Sequence, residues 1–387
     1  MNTFKRKTAL IGAALLVSTL SAGYTVPAFA ATPAAVLSKQ DQMVHSTISD
    51  LTAETDTRTF AIDKAIEAKK VTCQNHYGFD VAGHLYLPKD FTTKKQYAAV
   101  VITGPFGAVK EQSSGLYAQE LAKNGIVAVA FDPSTTGESS GVRRNVGSPE
   151  IFTEDFHAAI DFVSNLKFVN PQKVGVLGIC GLGGMALTAA SNDSRVKAAA
   201  TSVMYDMSES IRDHYDGDYY TPAQRELVKQ HIAKVRDEEA KTGKSIRGAH
   251  ELAVNPDGSV ATFDTMFPDK LPAGTNSVIQ GFYDYYVGRA YHPRAINSNT
   301  SAWDGTTPTG FFDFKMMQNI EEIKVPVLMI TGSAAHSKYF TDRAFARLTT
   351  ADKKEIVVPG ATHTDLYDQM DKIPFKELVT FFRKNLK

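Results

Sequence analysis

The stretch that most constrains this 387-residue chain runs from 173 to 191, where an apolar run breaks into a cluster of glycines and resumes as a row of small residues. Residues 173–178 predict a short strand, too apolar on both faces to be half-exposed. Residues 181–191 predict a small-residue helix lying close against a sheet. Between the two stands Cys180, flanked by Gly178, Gly181, Gly183 and Gly184. A chain that reverses from strand to helix so sharply needs glycine wherever a Cβ would collide, and the turn pushes the residue at its tip into a cleft. That residue also heads a helix, where backbone N–H groups favour negative charge. A lowered thiol pKa is therefore expected.

This strand, turn and helix resembles the nucleophile elbow of the α/β-hydrolases, with cysteine where most members carry serine. Within the superfamily, Gly178, Ile179, Cys180, Gly181, Leu182, Gly183 and Gly184 are similar to the elbow of dienelactone-hydrolase-type members, which use a cysteine nucleophile. The pattern departs at Leu182, because the paired glycines come one residue later than in the common Gly-x-nucleophile-x-Gly-Gly arrangement. A locally different turn is expected there. The resemblance covers residues 71–387, less a long insertion.

The first thirty residues read as an export signal. Lys5, Arg6 and Lys7 form a basic start, residues 9–17 an apolar run, and Ala28, Phe29 and Ala30 a small-residue cleavage site. The apolar run is too short to anchor the mature protein in a bilayer. Cleavage after Ala30 and a periplasmic or secreted location are expected. Removing the segment takes three of the 42 basic residues and none of the 42 acidic ones, which leaves a slightly acidic protein. No basic stripe stands out, so nucleic acid and membrane are excluded as expected partners. Cys73 falls on the first predicted strand and Cys180 at the tip of a central one, a separation that argues against a disulfide and for a free thiol at Cys180.

Residues 31–70 read as an N-terminal extension with weakly amphipathic helical segments. Residues 71–206 and 321–387 read as the two parts of an α/β-hydrolase core. Predicted strands at 71–75 and 79–87 are antiparallel; those at 97–103, 126–132, 173–178, 197–203, 325–331 and 354–358 alternate with helices at 111–124, 149–166, 181–191, 339–349 and 375–385. Such alternation predicts a mostly parallel sheet with helices on both faces. Residues 207–320 interrupt it with charged helical patterning and loops carrying Tyr215, Tyr219, Tyr220, Phe282, Tyr283, Tyr285, Tyr286, Tyr291 and Trp303. An insertion at this point resembles the cap that roofs α/β-hydrolase active sites.

A nucleophilic enzyme of this kind needs a base, a group that orients the base, and donors for the oxyanion. The resemblance assigns the base to His363, between the last strand and the last helix. It also leads to an orienting acid after the strand at 325–331, but the loop there holds Gly332, Ser333, Ala334, Ala335, His336 and Ser337, with no carboxylate before Asp342. Asp206, after the preceding strand, is the expected substitute; Glu209, Asp342, Asp365 or a Cys–His dyad are the alternatives. His336 reads equally as a substrate contact or a plain loop histidine. The oxyanion donors expected are the N–H groups of Gly181 and of Phe106, since Pro105 has none. Lys110, Glu111 and Gln112 read as charged residues at the cleft mouth, and Asp132, Gly137 and Ser139 as a structural turn. Arg289, His292 and Arg294 read as a solvated cap face or, alternatively, as a substrate-carboxylate site.

The function these readings support is cleavage of a small-molecule ester, thioester or lactone through an acyl-enzyme on Cys180, with no cofactor implied. No His/Cys/Asp cluster has metal-ligand spacing. Two alternatives use the same residues. One is a catalytically inactive periplasmic binding protein on this scaffold. The other is a dinucleotide-dependent oxidoreductase, because Gly181, Gly183 and Ala186 match G-x-G-x-x-A and Asp206 follows at about the right distance.

Overall fold

Runs of apolar and β-branched residues build one nine-stranded sheet. The computed structural model describes residues 45–387; the expected export signal, 1–30, lies outside the described residues, as do 31–44. The strands are β1 (Ser46–Asp50), β2 (Ala68–Gln74), β3 (Asp80–Tyr86), β4 (Tyr97–Thr103), β5 (Val127–Phe131), β6 (Val169–Ile179), β7 (Val196–Ser202), β8 (Val327–Gly332) and β9 (Lys353–Val358). Their spatial order is β1-β2-β3-β5-β4-β6-β7-β8-β9. The pairs β1–β2, β2–β3 and β3–β5 are antiparallel and the remaining pairs parallel. Strands β4, β5 and β6 are almost wholly buried over their C-terminal halves, as a doubly covered sheet requires.

Helices α1 (Ser113–Lys123), α2 (Pro149–Ser164), α3 (Gly181–Asn192), α4 (Met207–Asp213), α5 (Pro222–Thr242), α6 (Ser277–Tyr283), α7 (Lys338–Arg347), α8 (Asp365–Asp368) and α9 (Phe375–Asn385) complete the chain. The start of α2 follows from local chemistry: the Ser148 side chain accepts the Ile151 N–H, Pro149 needs no donor partner, and Glu150 sits in the first turn. Register pairs Thr103 with Gly178 and Ile179 with Ser202. The loops after β4, β6 and β7 therefore leave the sheet side by side at its C-terminal edge, with those after β8 and β9 continuing the row. That edge is where open α/β sheets carry their sites.

The helical expectation for 31–70 fails over its described part. Residues 46–50 form an exposed edge strand on β2, and turns follow. Thr47 and Ile48 favour an extended backbone, and the unpaired edge of β2 supplies a ladder that outweighs weak helical periodicity. Residues 207–320 hold α4 to α6, a further helical turn at Thr309–Phe312 and two short antiparallel ladders, with loops between them. Helix α5 starts with a Thr221–Gln224 capping box, ends at Gly243 in the left-handed conformation, and buries only Val228, Ile232 and Val235. Val228 and Ile232 join Tyr220, Ala249 and Leu252 in a small core of their own.

Beneath the C-terminal edge lies a buried charge network. Lys110, expected at the cleft mouth, is fully buried instead. Its ammonium bonds Glu111 (2.8 Å), Asp132 (3.0 Å) and Glu138 (2.7 Å), and its backbone N–H donates to Asp132 at 2.7 Å. Burial alone would discharge the ammonium, but the three carboxylates more than offset it and hold its pKa above the ordinary lysine value. Arg294 of the insertion reaches Glu111 at 2.6 Å, so the network ties the insertion to the core. Replacing Lys110 by methionine strands buried carboxylates without their cation. Lys110→Met is expected to lower the unfolding free energy by about 3–5 kcal/mol in urea denaturation; a loss below about 1 kcal/mol would show the network to be dispensable.

Candidate active site

Cys180 ends β6 with φ 54° and ψ −128°, a strained left-handed backbone, and forms the N-cap of α3. Three bonds fix it there. Its N–H donates to Ser202 O (2.9 Å), and its own carbonyl accepts from Gly183 (2.9 Å) and Tyr205 (3.1 Å). The displaced glycine pair leaves this turn intact, with Leu182 buried under it. Cys180 and Cys73 are both free thiols.

The N–H groups of Gly181 and Phe106 and the hydroxyl of Tyr367 are the polar groups that act on the Cys180 sulfur. Those contacts favour a thiolate, but burial is the larger effect and pushes the thiol up to about 11. The lowered pKa expected from the helix terminus alone is therefore corrected: enclosure outweighs the helix. Phe106 is held in place by the insertion. Its ring stacks on Trp303 (centroids 4.1 Å), and its carbonyl accepts from Asn297 Nδ2 at 2.7 Å. Gly107 next to it has φ +88°, and a Cβ there would lie 2.4 Å from Asn297 Oδ1.

His363, in the loop after β9, is buried. Its Nδ1 bonds Ser337 Oγ at 2.7 Å and its Nε2 bonds the Tyr367 hydroxyl at 2.9 Å. Burial, then the neighbouring His336, holds its pKa well below the ordinary histidine value, so the resting imidazole is neutral. Asp206 is not brought to it. The Asp206 carboxylate caps α4 by accepting the Glu209 N–H at 2.9 Å, and it is pushed up to about 6 by burial. The other carboxylates weighed are also engaged elsewhere: Glu209 with Arg343, Asp342 with Lys338, and Asp365 with Lys372. The imidazole is oriented by a serine hydroxyl, which a search for carboxylates passes over. Tyr367 follows His363 by four residues, a spacing that is visible in the sequence.

A cavity of about 610 Å³ opens onto Cys180 and Phe106, walled by Tyr205, Tyr215, Phe282, Tyr286 and His336. Farther out, Phe263, Met266, Phe267, Val278 and Ile279 of the insertion close it. Glu251 is its only carboxylate; no lysine or arginine lines it among the described residues. Both Glu251 oxygens accept from the Tyr215 hydroxyl (2.7 and 2.6 Å), and Tyr205 bonds His336 Nε2. Burial lowers the His336 pKa to about 4. Arg289 and Arg294 do not face this cavity. They pair with Asp368 and Glu111, while buried His292 bonds Thr57.

Two other readings meet obstacles. The glycines of the dinucleotide pattern are covered by protein: a Cβ on Gly181 would lie 2.6 Å from Phe106 Cβ and on Gly183 2.5 Å from Met204 Cβ, and one on the adjacent Gly184 2.4 Å from Met316 Sδ. No gap remains there for a pyrophosphate. Ligating atoms of His84, Glu111 and Glu138 do gather within 4.8 Å, a cluster that spacing along the chain does not reveal. The Lys110 ammonium already bonds both of those carboxylates, occupying the place of a cation.

Sheet order, elbow and C-terminal histidine define an α/β-hydrolase. The fold is shared with the α/β-hydrolase GrgF from Penicillium sp. sh18, at TM-score 0.65 and 17% identity over 82% of this chain and 99% of that one. More specifically, the chain belongs to the X-Pro dipeptidyl-peptidase (S15) family, which it matches over residues 78–365. Protein PA2218 of Pseudomonas aeruginosa is 45% identical over 339 residues, 87% of this chain and 85% of that protein. Its crystal structure superposes with TM-score 0.78, covering 87% of this chain and 99% of that one. A thiohydrolase of Aspergillus aculeatus, aneE, is 28% identical over 50% of this chain and 59% of its own length.

With the thiol held up to about 11, alkylation of Cys180 by iodoacetamide is expected to accelerate continuously from pH 7 to pH 10, read by peptide mass mapping. A plateau below pH 8 would mean the thiolate is already formed at rest. Asp206→Ala is expected to remove a helix cap worth about 0.5–2 kcal/mol while leaving turnover unchanged; loss of turnover with unchanged thermal stability would return Asp206 to the catalytic machinery.

Proposed function

We propose that this hydrolase cleaves a carboxylic ester, thioester or lactone through an acyl-enzyme on Cys180. One observation carries the reading. A strained cysteine heads α3 and faces the cavity, and the N–H groups of Gly181 and Phe106 beside it favour negative charge there, as an oxyanion formed by attack of the sulfur requires.

His363 takes the thiol proton as the sulfur adds to the carbonyl carbon, and the carbonyl electrons move to an oxygen held by Gly181 and Phe106. Collapse expels the leaving group, to which the imidazolium returns the proton. A water, deprotonated by His363, then adds to the acyl-enzyme and releases the acid and the thiol. Ser337 keeps the proton on Nδ1, so that Nε2 is the basic nitrogen. Each oxyanion donor is worth about 2.7–4 kcal/mol in the transition state.

The family name points to peptides, but a cysteine at the elbow favours esters and thioesters. A thiolate leaves the tetrahedral intermediate more readily than an amine does, so amide cleavage demands a strong proton donor. The neutral, carboxylate-free His363 is poorly suited to that demand. The similarity to a thiohydrolase favours the same substrates. The basic, apolar and small-residue pattern of residues 1–30 supports export to the periplasm or beyond.

Incubation with a panel of activated esters and thioesters is expected to leave an acyl mass on Cys180, located by peptide mapping. Cys180→Ala is expected to abolish hydrolysis, and Cys180→Ser to retain weak activity because the oxyanion donors survive. Full activity in Cys180→Ala would overturn the proposal.

A further inference from the structure

Ser337 stands immediately before α7, where a serine side chain ordinarily accepts an N–H of the first helical turn. It makes no such bond there; its hydroxyl is turned to His363 Nδ1, at 2.7 Å. Both residues are buried. The imidazole is otherwise boxed in by rings. The centroids of His336, Tyr205, Tyr367 and Phe282 lie 4.9, 5.2, 5.2 and 5.4 Å from its own. Asp365 and Asp368, on the turn that follows it, are paired with Lys372 and Arg289. Among the described residues the hydrogen-bond partners of the imidazole are two hydroxyls and no carboxylate.

An imidazolium formed at His363 thus meets a neutral oxygen and the positive end of α7 where an anion would steady it. The serine oxygen can accept from Nδ1–H and hold the ring, but it brings no charge to offset the cation. Such an imidazolium is short-lived, because returning its proton restores a neutral site. The tetrahedral intermediate then collapses toward whichever group leaves more easily without help, the Cys180 sulfur or the substrate's own leaving group. An alkoxide or an amine must be protonated to compete with a thiolate, whereas another thiolate or a phenolate need not be.

We propose that Ser337 is a positioning residue that restricts the site to thioesters and aryl esters, at the expense of alkyl esters and amides. The inference rests on Cys180 being the nucleophile and narrows the substrate class given above. In the productive step the sulfur bonds to the carbonyl carbon and the thiol proton goes to His363. The bond to the leaving group then breaks, its electron pair departing with the thiolate or phenolate, which takes up the imidazolium proton only afterwards.

Ethyl thiohexanoate and ethyl hexanoate share an acyl group and differ only in the leaving atom. The wild type is expected to favour the thioester by about 100-fold or more in kcat/KM, the size of a lost leaving-group protonation; a ratio below about fivefold would overturn the proposal. Ser337→Asp supplies the anion. It is expected to move the acid limb of the pH profile upward and to shrink the ratio at least about tenfold, while Ser337→Asn, of equal size and uncharged, leaves it unchanged. A shifted acid limb with an unchanged ratio would overturn the proposal. Where the introduced carboxylate caps α7 instead and the limb stays in place, Ser337→Ala decides. That variant is expected to lose about tenfold in kcat on the thioester with KM within about threefold, and an unchanged kcat would overturn the role of Ser337. An inactive Cys180→Ala beside any of these failures keeps the nucleophile, and an active one would overturn both readings together.

Discussion

The site depends on one strained residue being made affordable by its surroundings. A non-glycine backbone at φ 54° and ψ −128° is unfavourable by about 1–3 kcal/mol and persists only where neighbours over-determine it. Here β7 takes the Cys180 N–H through Ser202, while Gly183 and Tyr205 take its carbonyl. Those bonds exist because β6 and β7 are in parallel register up to the Ile179–Ser202 pair. Sheet register, strain and the direction of the sulfur are therefore one fact seen at three scales. Relaxing the turn would swing the sulfur away from the Gly181 and Phe106 N–H groups together.

Enclosure then sets the electrostatics. Cys180, His363 and Tyr367 are all buried, and burial disfavours the charged form of each. The resting site is thus neutral throughout, unlike a thiolate–imidazolium pair in an open cleft. Neutrality suits the missing carboxylate: with no buried anion behind the imidazole, Ser337 needs only to fix its tautomer. In the proposed reaction the charge created would be met by fixed N–H dipoles in a low-dielectric cavity, where such donors act most strongly.

How much of this is legible in the sequence follows from the range over which each feature is decided. The elbow turn and the alternation of strands and helices are written in a few consecutive residues, and local sterics read them. The edge strand at Ser46–Asp50 is not, because its pairing depends on an unfilled edge of β2 twenty residues away. Lys110 looks like a surface charge until Glu111, Asp132 and Glu138 are folded around it. Asp206 fails as the orienting group for a local reason: a short side chain at the start of α4 bonds the N–H three residues on, and that cap is nearer than any histidine. The thiol pKa shows a different limit. A helix N-terminus is visible in sequence and burial is not, and here burial is the larger effect.

The insertion links stability to specificity. On one side of the cleft Arg294 joins the buried Lys110 network, and Asn297 and Trp303 brace Phe106, so the oxyanion loop is held by the same segment that roofs it. On the other side, Phe263, Met266, Phe267, Val278, Ile279 and Phe282 wall the cavity, and no lysine or arginine lines it among the described residues. A substrate carrying an anion near its reactive carbonyl would lose its hydration there with no lysine or arginine to replace it, a cost that burial makes severe. Under the proposed chemistry this arrangement favours uncharged, apolar acyl groups by excluding anions as much as by attracting carbon, a preference set by side chains the elbow alone does not determine.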